Sequence, residues 1–246
     1  MAFVRLVDHM GSDSAIVQAA RVSYGKGTKT ISDDRGLIRY LMRHRHTTPF
    51  EMVEFKFHVR APIFVARQWM RHRTASVNEM SARYSIIQDD FFVPSEFRSQ
   101  SISARQSSEG SFEDPLLRFK QKSSCDLAFH TYDELLRKGV ARELARMHLP
   151  QSTYTEFYWK IDLHNLFHFL ALRMSPDAQI EIRELATKVY ELIRPIVPVA
   201  CEAFQDYVLD AVTLSGPEVQ ALKTGSVEHL SAGERREFEV KKSRLV

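Results

Sequence analysis

Cysteine is nearly absent: the 246 residues hold only Cys125 and Cys201, and they share no Cys-x-x-Cys spacing. That removes the thiolate zinc site and the vicinal redox pair. Each lies among apolar neighbours in a segment of helical character, where packing is the expected role. Long apolar runs are also missing, so no membrane partner is expected. The N-terminus shows no secretory pattern, so a cytoplasmic protein is expected. Gly25-x-Gly27 is not followed by the third glycine of a dinucleotide fingerprint, and no Lys-Ser/Thr phosphate loop occurs; the pair reads as a turn. The net charge of +3 is too small to argue for a nucleic-acid partner. Metal is not expected either. His44 and His46 are two residues apart, and His164 and His168 four apart, but no glutamate follows in a His-Glu-x-x-His pattern.

What the chain does have is arginine, concentrated in one place. Gln68-Trp69-Met70-Arg71-His72-Arg73-Thr74-Ala75-Ser76-Val77-Asn78-Glu79-Met80-Ser81-Ala82-Arg83-Tyr84-Ser85 is unusually rich in charged and hydroxyl groups. Pro62 suits a first helical position, and Ile63-Phe64-Val65-Ala66 root the helix in apolar surroundings. Arg67 and Arg71, one turn apart, share a face. Beyond Arg73 the mixture of β-branched residues, serine and asparagine competes with helix, and a polar loop is expected. Guanidinium forks, hydroxyls and an amide are the groups that bind phosphate and other planar oxyanions. An apolar-rooted helix opening into such a loop points to a partly buried site.

The rest of the chain reads as α+β: one domain over residues 1–215, with a small, mostly antiparallel sheet flanked by long helices. A charged extension, residues 216–246, is poor in large apolar residues and reads as peripheral. Residues 2–8 form a first strand. Ser12 or Asp13 caps a first helix, and Asp33 or Asp34 a second. Residues 52–60 alternate, with Phe55, Phe57 and Val59 on one face and Glu54, Lys56, His58 and Arg60 on the other, which is the mark of a half-buried strand. Residues 99–111 are serine-rich and read as a mobile loop. A long helix over 114–138 stops before Gly139. A shorter one over 140–148 ends at Pro150, and 153–161 is an aromatic strand. Asp162 caps a helix over 163–174, and Ser175-Pro176-Asp177 starts another that runs to Arg194.

The pattern Arg-His-Arg-x-x-Ser-x-Asn-Glu-x-Ser-x-Arg-Tyr, residues 71–84, resembles the signature of the flavin-dependent thymidylate synthases. A second stretch, His46-Thr47-Thr48-Pro49-Phe50-Glu51, is similar to that family's flavin-side segment. Ala145-Arg146-x-x-Leu149-Pro150, followed by the aromatic strand and a helix ending Leu172-Arg173, resembles its second half. The resemblance covers roughly residues 1–210. Where relatives more often have asparagine, position 162 is aspartate, and positions 164 and 168 are both histidine.

The resemblance implies reductive methylation of dUMP to dTMP. The carbon comes from 5,10-methylenetetrahydrofolate, and the hydride from NADPH through FAD. Such an enzyme does without the cysteine nucleophile of conventional uracil methylation, and this chain offers no convincing one. Arg173 is implied as the catalytic residue. The dUMP-binding set is Gln68, Trp69, Met70, Arg71, Glu79, Met80, Ser81, Ala82, Arg83 and Arg146, with Arg173. The FAD-binding set is His46, Thr48, Arg71, His72, Arg73, Asn78, Glu79, Asp162, His164 and His168. Family members form homotetramers with shared active sites, so the chain's own copies are implied as partners beside dUMP and folate.

Overall fold

A computed structural model of the chain describes residues 1–22, 31–102 and 108–245. The Gly25-x-Gly27 turn and residues 103–107 of the serine-rich stretch lie outside them. The chain divides into two compact units, Met1–Cys201 and Glu202–Val246.

The first unit is built on strands β1 (Phe3–Met10), β2 (Glu54–Pro62), β3 (Ser76–Glu79), β4 (Phe97–Gln100), β5 (Ser108–Phe112) and β6 (Tyr154–Asp162). Four of them form an antiparallel sheet in the order β1-β2-β6-β3, and β4 pairs with β5 in a hairpin. The alternation of β2 is realised: Phe55, Phe57, Val59 and Ala61 are fully buried. Register sets Phe57 opposite Trp159 and Val59 opposite Phe157, so the inner face is continuous across the strands. The outer face carries paired charges. Lys160 donates to Glu54 at 2.8 Å, His58 bonds Glu156 at 2.9 Å, and Arg60 Nε lies 3.1 Å from the same carboxylate.

The helices of this unit are α1 (Asp13–Val22), α2 (Ile31–Arg43), α3 (Thr48–Glu51), α4 (Ile63–Trp69), α5 (Pro115–Arg137), α6 (Arg142–Ala145), α7 (Leu163–Arg173) and α8 (Ile180–Ile193), with a 3₁₀ turn over Arg146–His148. α9 (Pro198–Phe204) crosses the boundary. Inner-face aromatics fix α4 and α7 to the sheet: Trp69 lies 5.1 Å from Trp159 and 4.6 Å from Phe169, ring to ring. The Asp162 carboxylate caps α7 by accepting from the backbone N–H of Asn165 at 2.9 Å, and Asp114 caps α5 through Leu117 at the same distance. Gly139, at φ +80°, ends α5 as its position requires. Both cysteines are buried, and burial pushes the Cys201 thiol up to about 12. No described helix is long and apolar enough to cross a membrane.

Several local expectations are corrected. The polar half of the arginine-rich window is not all loop, because Ser76–Glu79 pairs with β6 as an edge strand. Its backbone finds a ladder that local turn-forming side chains do not forbid. Residues 99–111 are not simply loop, since they contribute to the β4–β5 hairpin. Asp33 and Asp34 lie inside α2, and Asp34 pairs with Arg21 of α1. The Asp13 carboxylate serves a distant helix: it accepts from Val199 N–H at 2.8 Å and Ala200 N–H at 3.0 Å, at the start of α9. Helix α8 begins at Ile180. Before it, Ser175 closes a turn of its own, accepting from the Ala178 N–H at 2.9 Å.

The second unit contains a π-helical turn, Gln205–Leu209, then α10 (Gly216–Thr224) and α11 (Ala232–Ser243). Ser215 with Glu218, and Ser231 with Glu234, form reciprocal capping boxes. Ala221, Leu230 and Phe238 are buried together, against Leu214 and Val227. Glu218 is 3 % exposed and takes Lys241 Nζ on both oxygens, at 2.8 and 2.9 Å. A tail poor in apolar residues thus assembles a small core, helped by caps and one buried ion pair.

One backbone position is costly. At the end of α2 the N–H of His46 bonds the Leu41 carbonyl at 2.9 Å and that of Arg45 bonds the Met42 carbonyl at 3.2 Å. This is the Schellman pattern, and its left-handed residue is Arg45, at φ +57°. Glycine fits that conformation without the steric penalty of a Cβ. Arg45→Gly is expected to stabilise the chain by about 0.5–1 kcal/mol, read as a higher urea midpoint.

Candidate active site

Helix α4 presents two working faces. Ile63, Ala66, Arg67, Met70 and Arg71 fall at i, i+3, i+4, i+7 and i+8, and all line a cleft of about 610 Å³. Its other walls are Glu79, Met80 and Ala82 from the end of β3, and Arg146 and Leu149 from the turn before β6. The floor comes from β6. Thr153, immediately before the strand, and Thr155, Phe157, Trp159 and Ile161 along its inner face are all buried. Two small hydroxyl residues stand where the aromatic layer would otherwise continue, and the missing volume is the bottom of the cleft.

The cleft is cationic. Among the described residues Arg67, Arg71 and Arg146, which line it, make no ion pair or hydrogen bond through their guanidinium groups. Unpaired guanidinium groups around one concavity form an anion site. Glu79 is held from below, its Oε1 accepting from the Thr155 hydroxyl at 2.6 Å. Beside it, the Ser81 carbonyl accepts from Tyr84 N–H at 3.0 Å and Ser85 N–H at 3.1 Å. Arg142 donates to the Tyr84 carbonyl at 2.7 Å, and Arg83 reaches Glu143 at 3.6 Å.

The next face of α4 looks toward α7. Arg173, at the C-terminal end of α7, donates its Nε–H to His72 Nε2 at 3.0 Å and an Nη2–H to the Gln68 carbonyl at 3.3 Å. To accept there, His72 must be neutral, with its proton on Nδ1. Burial, the Arg173 charge and His168 together lower its pKa to about 4. Burial also draws the Arg173 pKa down, but arginine remains cationic in proteins. His72 lies 5.8 Å from the His168 ring, and Phe169 meets it edge-on at 4.9 Å. The Gln68 side chain is held by Gln179, at the start of α8.

Sequence-derived candidates therefore separate into groups. Met70, Arg71, Glu79, Met80, Ala82 and Arg146 come together in the cleft. Gln68, His72, His168 and Arg173 gather on the flank facing α7. Thr48 opens α3, which packs on α7 through Phe50 and Phe167, 6.4 Å apart, and His46 lies two residues before it. His164 lies one turn before His168 on α7, and Asp162 is occupied as that helix's cap. Arg73, Asn78 and Arg83 are exposed. Trp69 is a core side chain, fully buried, and does not line the cleft. Sequence reading missed Thr153, Thr155 and Gln179, and it named Arg67 only as sharing a face with Arg71. The two threonines left a signal, small residues heading an otherwise aromatic strand face; Gln179 left none.

Among the described residues no three histidine, cysteine or acidic side chains are placed to hold a metal ion. The available donors, guanidinium, imidazole and hydroxyl, fit a planar, anionic cofactor that carries phosphates.

Comparison with known proteins agrees. Residues 5–199 match the family model described as thymidylate synthase complementing protein. A flavin-dependent thymidylate synthase of Thermus thermophilus is 60% identical over 225 residues, covering 90% of this chain and 82% of the relative. One from Dictyostelium discoideum is 55% identical over 239 residues, covering 95% and 79%. A solved UMP/dUMP methylase from Streptomyces cacaoi, bound with 5-Br dUMP, superimposes with a TM-score of 0.78 at 39% identity, covering 85% of this chain and 96% of that one.

The depressed His72 pKa links stability to pH. In the unfolded chain the imidazole takes up its proton near 6.5, in the folded chain near 4. Between those values the unfolded state binds more protons, so stability falls as pH is lowered through that window. With solvent screening of this half-buried group, the loss is on the order of 1–2 kcal/mol. His72→Gln should flatten this part of the profile, seen in urea midpoints collected from pH 7 to pH 4.

Proposed function

The chain belongs to the flavin-dependent thymidylate synthase family, and on that premise we propose that it converts dUMP to dTMP with the α4 cleft and Arg173 as its working parts. Methylenetetrahydrofolate supplies the carbon and NADPH the reducing equivalents. FAD, when bound, supplies the hydride-transfer chemistry. The observation that carries the reading is the pairing of an anion-binding cleft with a partly buried, oriented guanidinium on adjoining faces of one helix.

The residues act by binding and by electrostatics. Arg67, Arg71 and Arg146 receive the nucleotide phosphate, with Ser81 and Arg83 at the rim. Arg173 has five N–H donors, of which two are committed, to His72 and to the Gln68 carbonyl. The remaining donors are free to face the uracil, where a guanidinium stabilises negative charge on N3 and the adjacent carbonyl oxygen. This activates the ring for attack through C5 without a thiolate. His72, neutral and accepting, holds the cation in orientation without opposing its charge. Arg73, His46, Thr48, His164 and His168 are the groups we assign to the flavin, with Asn78 and Asp162 beside them.

The test is spectroscopic first. Purified protein supplied with FAD should show a flavin band, and NADPH with dUMP under anaerobic conditions should bleach it. Arg173→Ala should keep the band while dTMP formation drops by about a thousandfold, the scale of losing a charge-stabilising donor. Failure to bind FAD at all would sink the reading.

We infer further that the site is completed between copies of the chain in a homotetramer. What supports this is that the cleft and Arg173 lie on different flanks of α4, while the signature strand β3 is exposed along its whole length. Mixing inactive Arg146→Ala and Arg173→Ala chains, after dissociation and reassembly, should restore part of the activity. No recovery in verified mixed oligomers would place both residues in one chain's site.

A further inference from the structure

The floor of the cleft holds an unspent polar group. Thr153 is 1 % exposed, lines the cleft, and its hydroxyl has no hydrogen-bond partner. Its backbone is fully engaged, the N–H with the Pro150 carbonyl at 3.0 Å and the carbonyl with the Ile63 N–H at 2.9 Å, so the side chain is fixed in place. Its neighbour on the same strand face, Thr155, spends its hydroxyl on Glu79. A buried hydroxyl without a partner destabilises the protein that carries it. Valine would fill the same space without that cost, so the hydroxyl is unexplained by packing.

The cleft has a polarity gradient that says which part of a ligand reaches this group. Exposed guanidinium groups of Arg67, Arg71 and Arg146 stand at the mouth. Ile63, Ala66 and Leu149 line the interior with Thr153. An anionic end stays among the guanidinium groups, and the uncharged part descends. We propose that the Thr153 hydroxyl is a specificity-determining contact for the nucleoside part of the bound nucleotide, taking a sugar hydroxyl or a ring carbonyl rather than the phosphate. This rests on the dUMP reading of the cleft. It adds a residue to which neither the signature motif nor the resemblance assigns a role.

Thr153→Val in the full chain, reconstituted with FAD, tests it with two readouts that a packing role would not separate. Relief of the unpartnered hydroxyl should raise the melting temperature of the ligand-free protein by about 2 °C. The dUMP dissociation constant, by calorimetry, should weaken by about tenfold, equivalent to ~1.4 kcal/mol. Thr153→Ser should restore affinity to within about twofold, because it returns the hydroxyl. Inorganic phosphate, as competitor, should bind both proteins equally. Wild-type affinity for dUMP in Thr153→Val overturns the proposal, as does a lowered melting temperature, which would mean that the hydroxyl is already partnered. Equal weakening of phosphate overturns it too, by moving the effect to the mouth. If the wild-type protein itself does not bind dUMP, it is the reading of the cleft that fails.

Discussion

Everything that works in this molecule depends on how one short helix is rotated. Trp69, Trp159 and Phe169 form a closed, buried cluster, with ring separations of 5.1, 4.6 and 4.9 Å. A side chain of that size has few ways to pack, and interiors at crystal-like density tolerate little rotation about it. With Trp69 anchored inward, the residues one and two positions before it must emerge on adjoining flanks. Arg67 and Arg71 go to the cleft, and Gln68 and His72 go to α7. A core contact thus sets which flank of α4 carries the cleft and which carries the contacts of Arg173.

The electrostatics follow from that arrangement. Around the cleft three guanidinium groups, of Arg67, Arg71 and Arg146, share one carboxylate, that of Glu79, and the excess positive charge favours an anionic ligand. On the other flank the cation is steered but not neutralised. A carboxylate in the place of His72 would bind Arg173 more tightly and cancel its charge; a neutral imidazole acceptor orients it and leaves the charge intact. The same arginine, together with burial, keeps that imidazole neutral.

Much of this was legible in the sequence, unevenly. The alternation of β2, the Asp162 cap and the Gly139 stop are local signals, and they were realised as read. The arginine-rich window reads as an oxyanion site, and the fold sets its Arg71 in a cleft with Arg67 and Arg146. What escaped were features set by long-range pairing. β3 exists because β6 offers it a ladder, and nothing in Ser76–Glu79 alone favours a strand. Asp13 looked like a cap for its own helix and serves one more than 180 residues away, through Val199 and Ala200. The small core of the second unit was hidden because its few apolar residues, Ala221, Leu230 and Phe238, are scattered among charges.

The inner face of β6 carries a consequence for how such a protein can change. Cleft depth is set by two positions at the head of the strand, Thr153 and Thr155, ahead of the aromatic residues that hold the helices. Because consecutive inward positions on a strand are independent side chains on a shared, rigid backbone, the first two can be exchanged while Phe157 and Trp159 keep their places. Cleft depth and the aromatic layer are therefore encoded in separate letters of one five-position word. A lineage, or an engineer, can rewrite the first two letters to admit a larger or smaller guest without reopening the question of whether the chain folds.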